Sequence, residues 1–66
     1  MVTMDIYKRG VGVIKKLPPV NNISEAKQAL EKYCLDNNVR VVARERFDTS
    51  YWNYLSDGTE FDYTIE

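Results

Sequence analysis

The chain reads as an α+β domain: one α-helix packed on a mostly antiparallel β-sheet of about four strands, in the order β-α-β-β-β. Three observations carry this expectation. A helical apolar stripe begins near Ser24, β-branched and aromatic residues cluster from Val39 to Ile65, and an Asp-Gly pair at Asp57-Gly58 interrupts that cluster. Sixty-six residues make a single domain, 1–66, near the size at which burial alone offsets chain entropy. A hydrophobic fraction of 44% is too high for a disordered tail.

Met4 to Lys16 mixes β-branched residues with Gly10 and Gly12. It reads as one long strand bent at a glycine, or as a hairpin turning at Arg9-Gly10, and the bent strand is preferred. Leu17-Pro18-Pro19-Val20-Asn21-Asn22 follows as a stiff connector, because two prolines stop regular structure. From Ser24 to about Asn37, Ala26, Ala29, Leu30, Tyr33 and Cys34 recur at the spacing of one helix face. Ser24 or Asn22 can cap its start, Glu25 suits its positive end, and Asn37-Asn38 can supply a left-handed stop. Leu35 falls off this stripe.

The remainder reads as a three-stranded meander of about Val39–Phe47, Ser50–Leu55 and Glu60–Ile65. Taking Asp57-Gly58 as a two-residue turn places Tyr54 opposite Phe61 and Trp52 opposite Tyr63, all on one buried face with Ile65. Turning the preceding connection at Asp48-Thr49 puts Phe47, Ala43 and Val41 on that same face, with only Glu45 misplaced opposite Trp52. The other face then carries Arg40, Val42, Arg44 and Arg46, next to Tyr51, Asn53 and Leu55, next to Glu60, Asp62, Thr64 and Glu66. Charge favours setting the N-terminal strand, with Lys8, Arg9, Lys15 and Lys16, beside the acidic last strand. A right-handed crossover placing it parallel to Val39–Phe47 is the competing topology.

Charge is unevenly distributed. Phe47 to Glu66 holds five of the ten acids, six of the eight aromatics and no cation, whereas the first forty-six residues hold all nine cations. Such asymmetry belongs to a recognition surface more than to a reaction site. There is no His, and the lone Cys34 has no partner thiol, which argues against zinc sites, nucleophilic catalysis and an internal disulfide. Carboxylates cluster only as Glu60, Asp62 and Glu66 on a strand expected to face solvent, where solvation denies them acid–base roles. Gly10-Val11-Gly12 lacks the third glycine of a dinucleotide loop, and Asp57 to Asp62 lacks the ligand spacing of a calcium loop. No catalytic residue, metal ligand or cofactor is expected.

The N-terminus shows no secretory leader and no segment approaches a membrane span, so a cytoplasmic location without membrane contact is the expectation. The Asn22-Ile23-Ser24 sequon reads as a helix cap rather than a glycosylation site. The expected function is a small non-enzymatic protein-binding module. It would be a regulator or inhibitor that acts through an open sheet face or a strand edge on another protein or on a second copy as a homodimer. A short stand-alone chain of this kind also resembles compact virally encoded host-modulating proteins in size. The residues expected to meet the partner are Arg40, Val42, Arg44, Arg46, Tyr51, Asn53, Leu55 and Asp62, an aromatic and arginine mixture typical of interface centres. The competing reading is single-stranded nucleic-acid binding, with Tyr51 as a stacking platform and the Arg40, Arg44 and Arg46 row on phosphates. The acidic strand, which would repel a phosphate backbone, disfavours it.

Overall fold

The computed structural model describes residues 1–66 as five strands and one helix: β1 (Val2–Lys8), β2 (Gly12–Val20), α1 (Ile23–Asn37), β3 (Val41–Phe47), β4 (Ser50–Leu55) and β5 (Thr59–Ile65). The architecture is one helix on an antiparallel sheet, with a fifth strand beyond the expected four. That strand arises because the first segment is a hairpin and not a bent strand. Gly10 takes φ 82° and the Val11 amide donates to the Lys8 carbonyl at 3.0 Å, which reverses the chain at the Arg9-Gly10 position. The expected connector Leu17–Val20 continues as strand, and Pro18 and Pro19 are tolerated because β2 lies at the sheet edge.

The strand order is β2-β1-β5-β4-β3, antiparallel at every pairing. The first strand does lie beside the last one and the parallel crossover is not formed, but the charge argument for that placement fails: Lys15 and Lys16 fall on the outer strand β2, and β1 sets Asp5 opposite Asp62. Between β2 and β3, on opposite edges, the chain crosses one face of the sheet as α1. Its N-cap Asn22 accepts from the Glu25 amide at 2.9 Å, while Glu25 Oε1 accepts from the Asn21 amide at 3.0 Å. Asn38 ends the helix in the left-handed conformation at φ 53°, ψ 45°. The stripe of Ala26, Ala29, Leu30, Tyr33 and Cys34 faces the core, and Leu35 is 82% exposed.

The core is built from alternate residues of the central strands under the helix. Val2, Met4 and Ile6 of β1, Phe61 and Tyr63 of β5, and Leu55 of β4 close against Ala26 and Leu30. Phe61 is completely buried, with the Tyr33 ring 5.7 Å away. At roughly 1.5–3 kcal/mol for each large apolar side chain removed from water, this small set supplies most of the driving force available to the fold.

One correction concerns which face of β4 is inside. The β4–β5 loop contains three residues, Ser56, Asp57 and Gly58, not two. Gly58 sits at φ 87° and its amide donates to the Leu55 carbonyl at 3.1 Å, while Asp57 Oδ1 accepts from the Thr59 amide and hydroxyl. Phe61 therefore pairs with Asn53, and Tyr63 with Tyr51. A single residue of slip turns over every side chain of the strand. Tyr51, Asn53 and Leu55 point toward the helix, and Trp52 and Tyr54 point away. The Asp48-Thr49 turn does set the expected β3–β4 register, with Phe47 opposite Ser50 and Glu45 opposite Trp52. Hence β3 is turned over with β4, and Arg44 and Arg46 lie on the helix side. An irregularity between Val41 and Ala43 returns Val41 to the inner face opposite Leu55 and leaves Val42 bulged and exposed.

Candidate functional site

The face away from the helix is uncovered, and its composition follows from the pairings. One row crosses all five strands as Lys16, Asp5, Asp62, Trp52 and Glu45. The adjacent row runs Val13, Tyr7, Glu60, Tyr54 and Ala43, and on the far side Thr3, Thr64, Ser50 and Phe47 follow one another. Aromatic rings thus interleave with carboxylates across this face, and the cations Lys16 and Arg9 lie at its β1–β2 side. Trp52 is 37% exposed and packs on Phe47, with ring centroids 4.6 Å apart. Only Lys16 offers compensation within the row, at 3.9 Å from Asp5.

Asp62 is the most perturbed group on this face. Its carboxyl is pushed up to about 7, first by burial between neighbouring strands and then by the charges of Glu60 and Asp5. Its Oδ1 is sealed from solvent and accepts no hydrogen bond. The expectation that solvent would leave this acid ordinary is therefore overturned: the flanking β1 and β4 side chains desolvate it. Nearby, the Tyr54 hydroxyl donates to Glu45 Oε1 at 2.6 Å, and that bond, helped by burial and the surrounding carboxylates, pushes the phenol up to about 12. The carboxylates are spread along the strands, and no three of them converge on a point where an ion could sit.

A second feature lies on the helix side. Because α1 rests mainly on β1, β2 and β5, it leaves the inner side of β3 and the outer half of β4 partly bare. The result is a notch of about 450 Å³ between the helix and β3. Lys27 and Glu31 border it from the helix, Arg44 and Arg46 from β3, and Tyr51, Asn53 and Tyr63 floor it. Tyr51 and Tyr63 stack at 5.0 Å with 21° between their planes, and the Arg46 guanidinium lies 5.1 Å from the Tyr51 ring centre. Burial pushes the Tyr63 hydroxyl up, Tyr51 adds to the rise, and Arg44 opposes it. Asn53 is 2% exposed and donates from Nδ2 to the Phe61 carbonyl at 2.9 Å.

The residues expected to form one contact face are consequently divided. Arg44, Arg46, Tyr51 and Asn53 do come together, in the notch beneath the helix rather than on the open face. Leu55 belongs to the core, Asp62 lies on the opposite side of the sheet, and Val42 is isolated at the bulge. Arg40 precedes β3, where its amide donates to Ser56 Oγ at 3.1 Å. Asp5, Tyr7, Trp52, Tyr54 and Lys27 were not among the expected contact residues. A Ser-Asp-Gly loop of three residues was the available signal for Trp52 and Tyr54, because that length reverses the faces of β4.

No helix is long and apolar enough to cross a membrane. No protein-family model matches the chain, nor does any curated protein or solved structure.

Proposed function

We propose that this domain is a non-enzymatic protein-binding module, a regulator or inhibitor, whose open sheet face docks a cationic segment of a larger protein. The observation that carries the reading is the alternation of Tyr7, Trp52 and Tyr54 with Asp5, Glu45, Glu60 and Asp62 on one uncovered face. Arginine and lysine side chains suit such a surface twice over, through the carboxylates and through ring faces that attract cations. The same carboxylates repel a phosphate backbone, and the Tyr51 ring is already engaged by Tyr63 and Arg46, so the surface favours a protein partner over single-stranded nucleic acid.

Size sets the form of the partner. Four inter-strand gaps give a face roughly 19 Å wide, which accommodates a helix or an extended segment better than a domain-sized surface. The strand edges support docking less well. β2 carries Pro18, Pro19 and two irregularities, and pairing β3 antiparallel with a second β3 about Glu45 would set Arg44 against Arg46 of the other copy.

The test is a titration of Trp52 fluorescence with a short arginine-rich peptide, with a Gly/Ser peptide of equal length as control. Saturable change in emission, lost in an Asp5→Asn/Glu60→Gln variant and weakened by salt, is the expected result. Equal affinity of the variant and the parent for the peptide would overturn the reading.

A further inference from the structure

We infer that the notch between α1 and β3 is a binding site for the phosphate group of a small molecule, distinct from the open sheet face and independent of what docks there. Three cations border this one concavity, Lys27 from the helix and Arg44 and Arg46 from alternate positions of β3. None of them has an ion-pair partner: the only salt bridges in the protein are Lys16–Asp5 and Lys32–Asp36. Of the two acids on the rim, Glu45 is turned to the other face, where Tyr54 donates to it. Glu31 alone opposes the three positive charges.

The floor determines the kind of anion. Arg46 is held over the Tyr51 ring, and Tyr51 is in turn stacked on Tyr63, so one guanidinium is positioned before any ligand arrives. Arg44 and Arg46 project from the same side of one strand, about 7 Å apart by strand geometry, and can grip a tetrahedral oxyanion from two sides. Lys27 closes over it as a flexible point charge. Tyr51 is only partly buried, and its ring edge gives the floor an apolar margin against which an organic group attached to the phosphate can lie. A volume of about 450 Å³ suits a small phosphate ester and is larger than a free ion needs.

The experiment is a two-dimensional amide NMR titration of the intact chain with inorganic phosphate and, separately, with phenyl phosphate, each against chloride at matched ionic strength. The expected result is a set of shifts centred on Lys27, Arg44, Arg46 and Tyr51, weakened several-fold in Arg44→Gln and in Lys27→Gln but unchanged in Lys15→Gln. Tighter binding of phenyl phosphate than of inorganic phosphate identifies an ester as the ligand, and equal binding identifies the free anion; both support the site. Lys27 is on the solvent side of the helix, so its variant reads binding without disturbing the fold. Shifts spread evenly over the basic residues, equal weakening by Lys15→Gln, or no shifts beyond those of chloride would overturn the inference.

Discussion

Asp62 stands directly opposite Asp5 in the β1–β5 ladder, two like charges facing each other on the open side of the sheet. Such a pair opposes folding. Lys16 meets only Asp5, at 3.9 Å and from a largely exposed position, which leaves the inner carboxylate to carry the strain.

Stability should therefore depend on the proton at Asp62. Its folded value of about 7 lies above its reference of 3.8, so the stabilisation by the bound proton is complete below about 4 and is lost as pH rises through 7. Asp62→Asn should raise the melting temperature at pH 8 by about 4–8 °C, corresponding to roughly 1 kcal/mol after allowance for partial solvation. At pH 4 the variant and parent should melt together. A parent whose difference from the variant is the same at both pH values would show that Asp62 is not desolvated.

The Tyr54–Glu45 hydrogen bond predicts a tyrosine that resists ionisation. With its acceptor at 2.6 Å the phenol is held up at about 12, against a reference of 10.0. Glu45→Gln removes the charge and the stronger acceptor, and the Tyr54 titration, followed by NMR of the ring protons, should fall toward the reference value. No change would mean that the bond does not persist in solution.

Gly58 predicts a loop effect with a chiral signature. At φ 87° it is in a region that L side chains rarely adopt, and a Cβ there would meet nothing within 4 Å. Gly58→Ala should cost about 1–2 kcal/mol in denaturant unfolding through the backbone alone. A chemically made chain with D-alanine at this position should be at least as stable as the parent, since the loop conformation is then favoured and the unfolded chain restricted. Equal loss from both enantiomers would mean that some other contact fills the space.

The orientation of β4 predicts unequal costs for its aromatic neighbours. Phe61→Ala empties the centre of the core and should cost about 3–5 kcal/mol, comparable to the whole stability of a domain this small. Trp52→Ala loses only its outer contact with Phe47 and should cost about 1 kcal/mol. Comparable destabilisation by the two would place the indole under the helix after all.

Local signals were legible where one interaction dominates. The helix and its stop at Asn38 follow from periodicity and turn chemistry, while of the two cap candidates, Ser24 and Asn22, the structure selects Asn22 and starts the helix at Ile23. Phe61 and Tyr63 were assigned inward and Glu60, Asp62 and Thr64 outward because β5 alternates cleanly. β4 does not alternate. With Tyr51 and Leu55 on one side and Trp52 and Tyr54 on the other, both faces are apolar, and the period of two gives no preference. The hairpin at Gly10 was ambiguous for a related reason, since a glycine can bend a strand or reverse it.

The amino-acid sequence by itself determined the helix and its C-terminal stop, the antiparallel meander, the core side of β5 and the separation of acids from bases. Tertiary structure decided which side of β3 and β4 meets the helix, and with it whether the arginines line an inner notch or an outer face. The physical reason is that a strand's faces exchange with a shift of one residue, and the length of the Ser56–Gly58 loop is chosen by how the whole sheet packs under α1 rather than by the Asp-Gly pair alone.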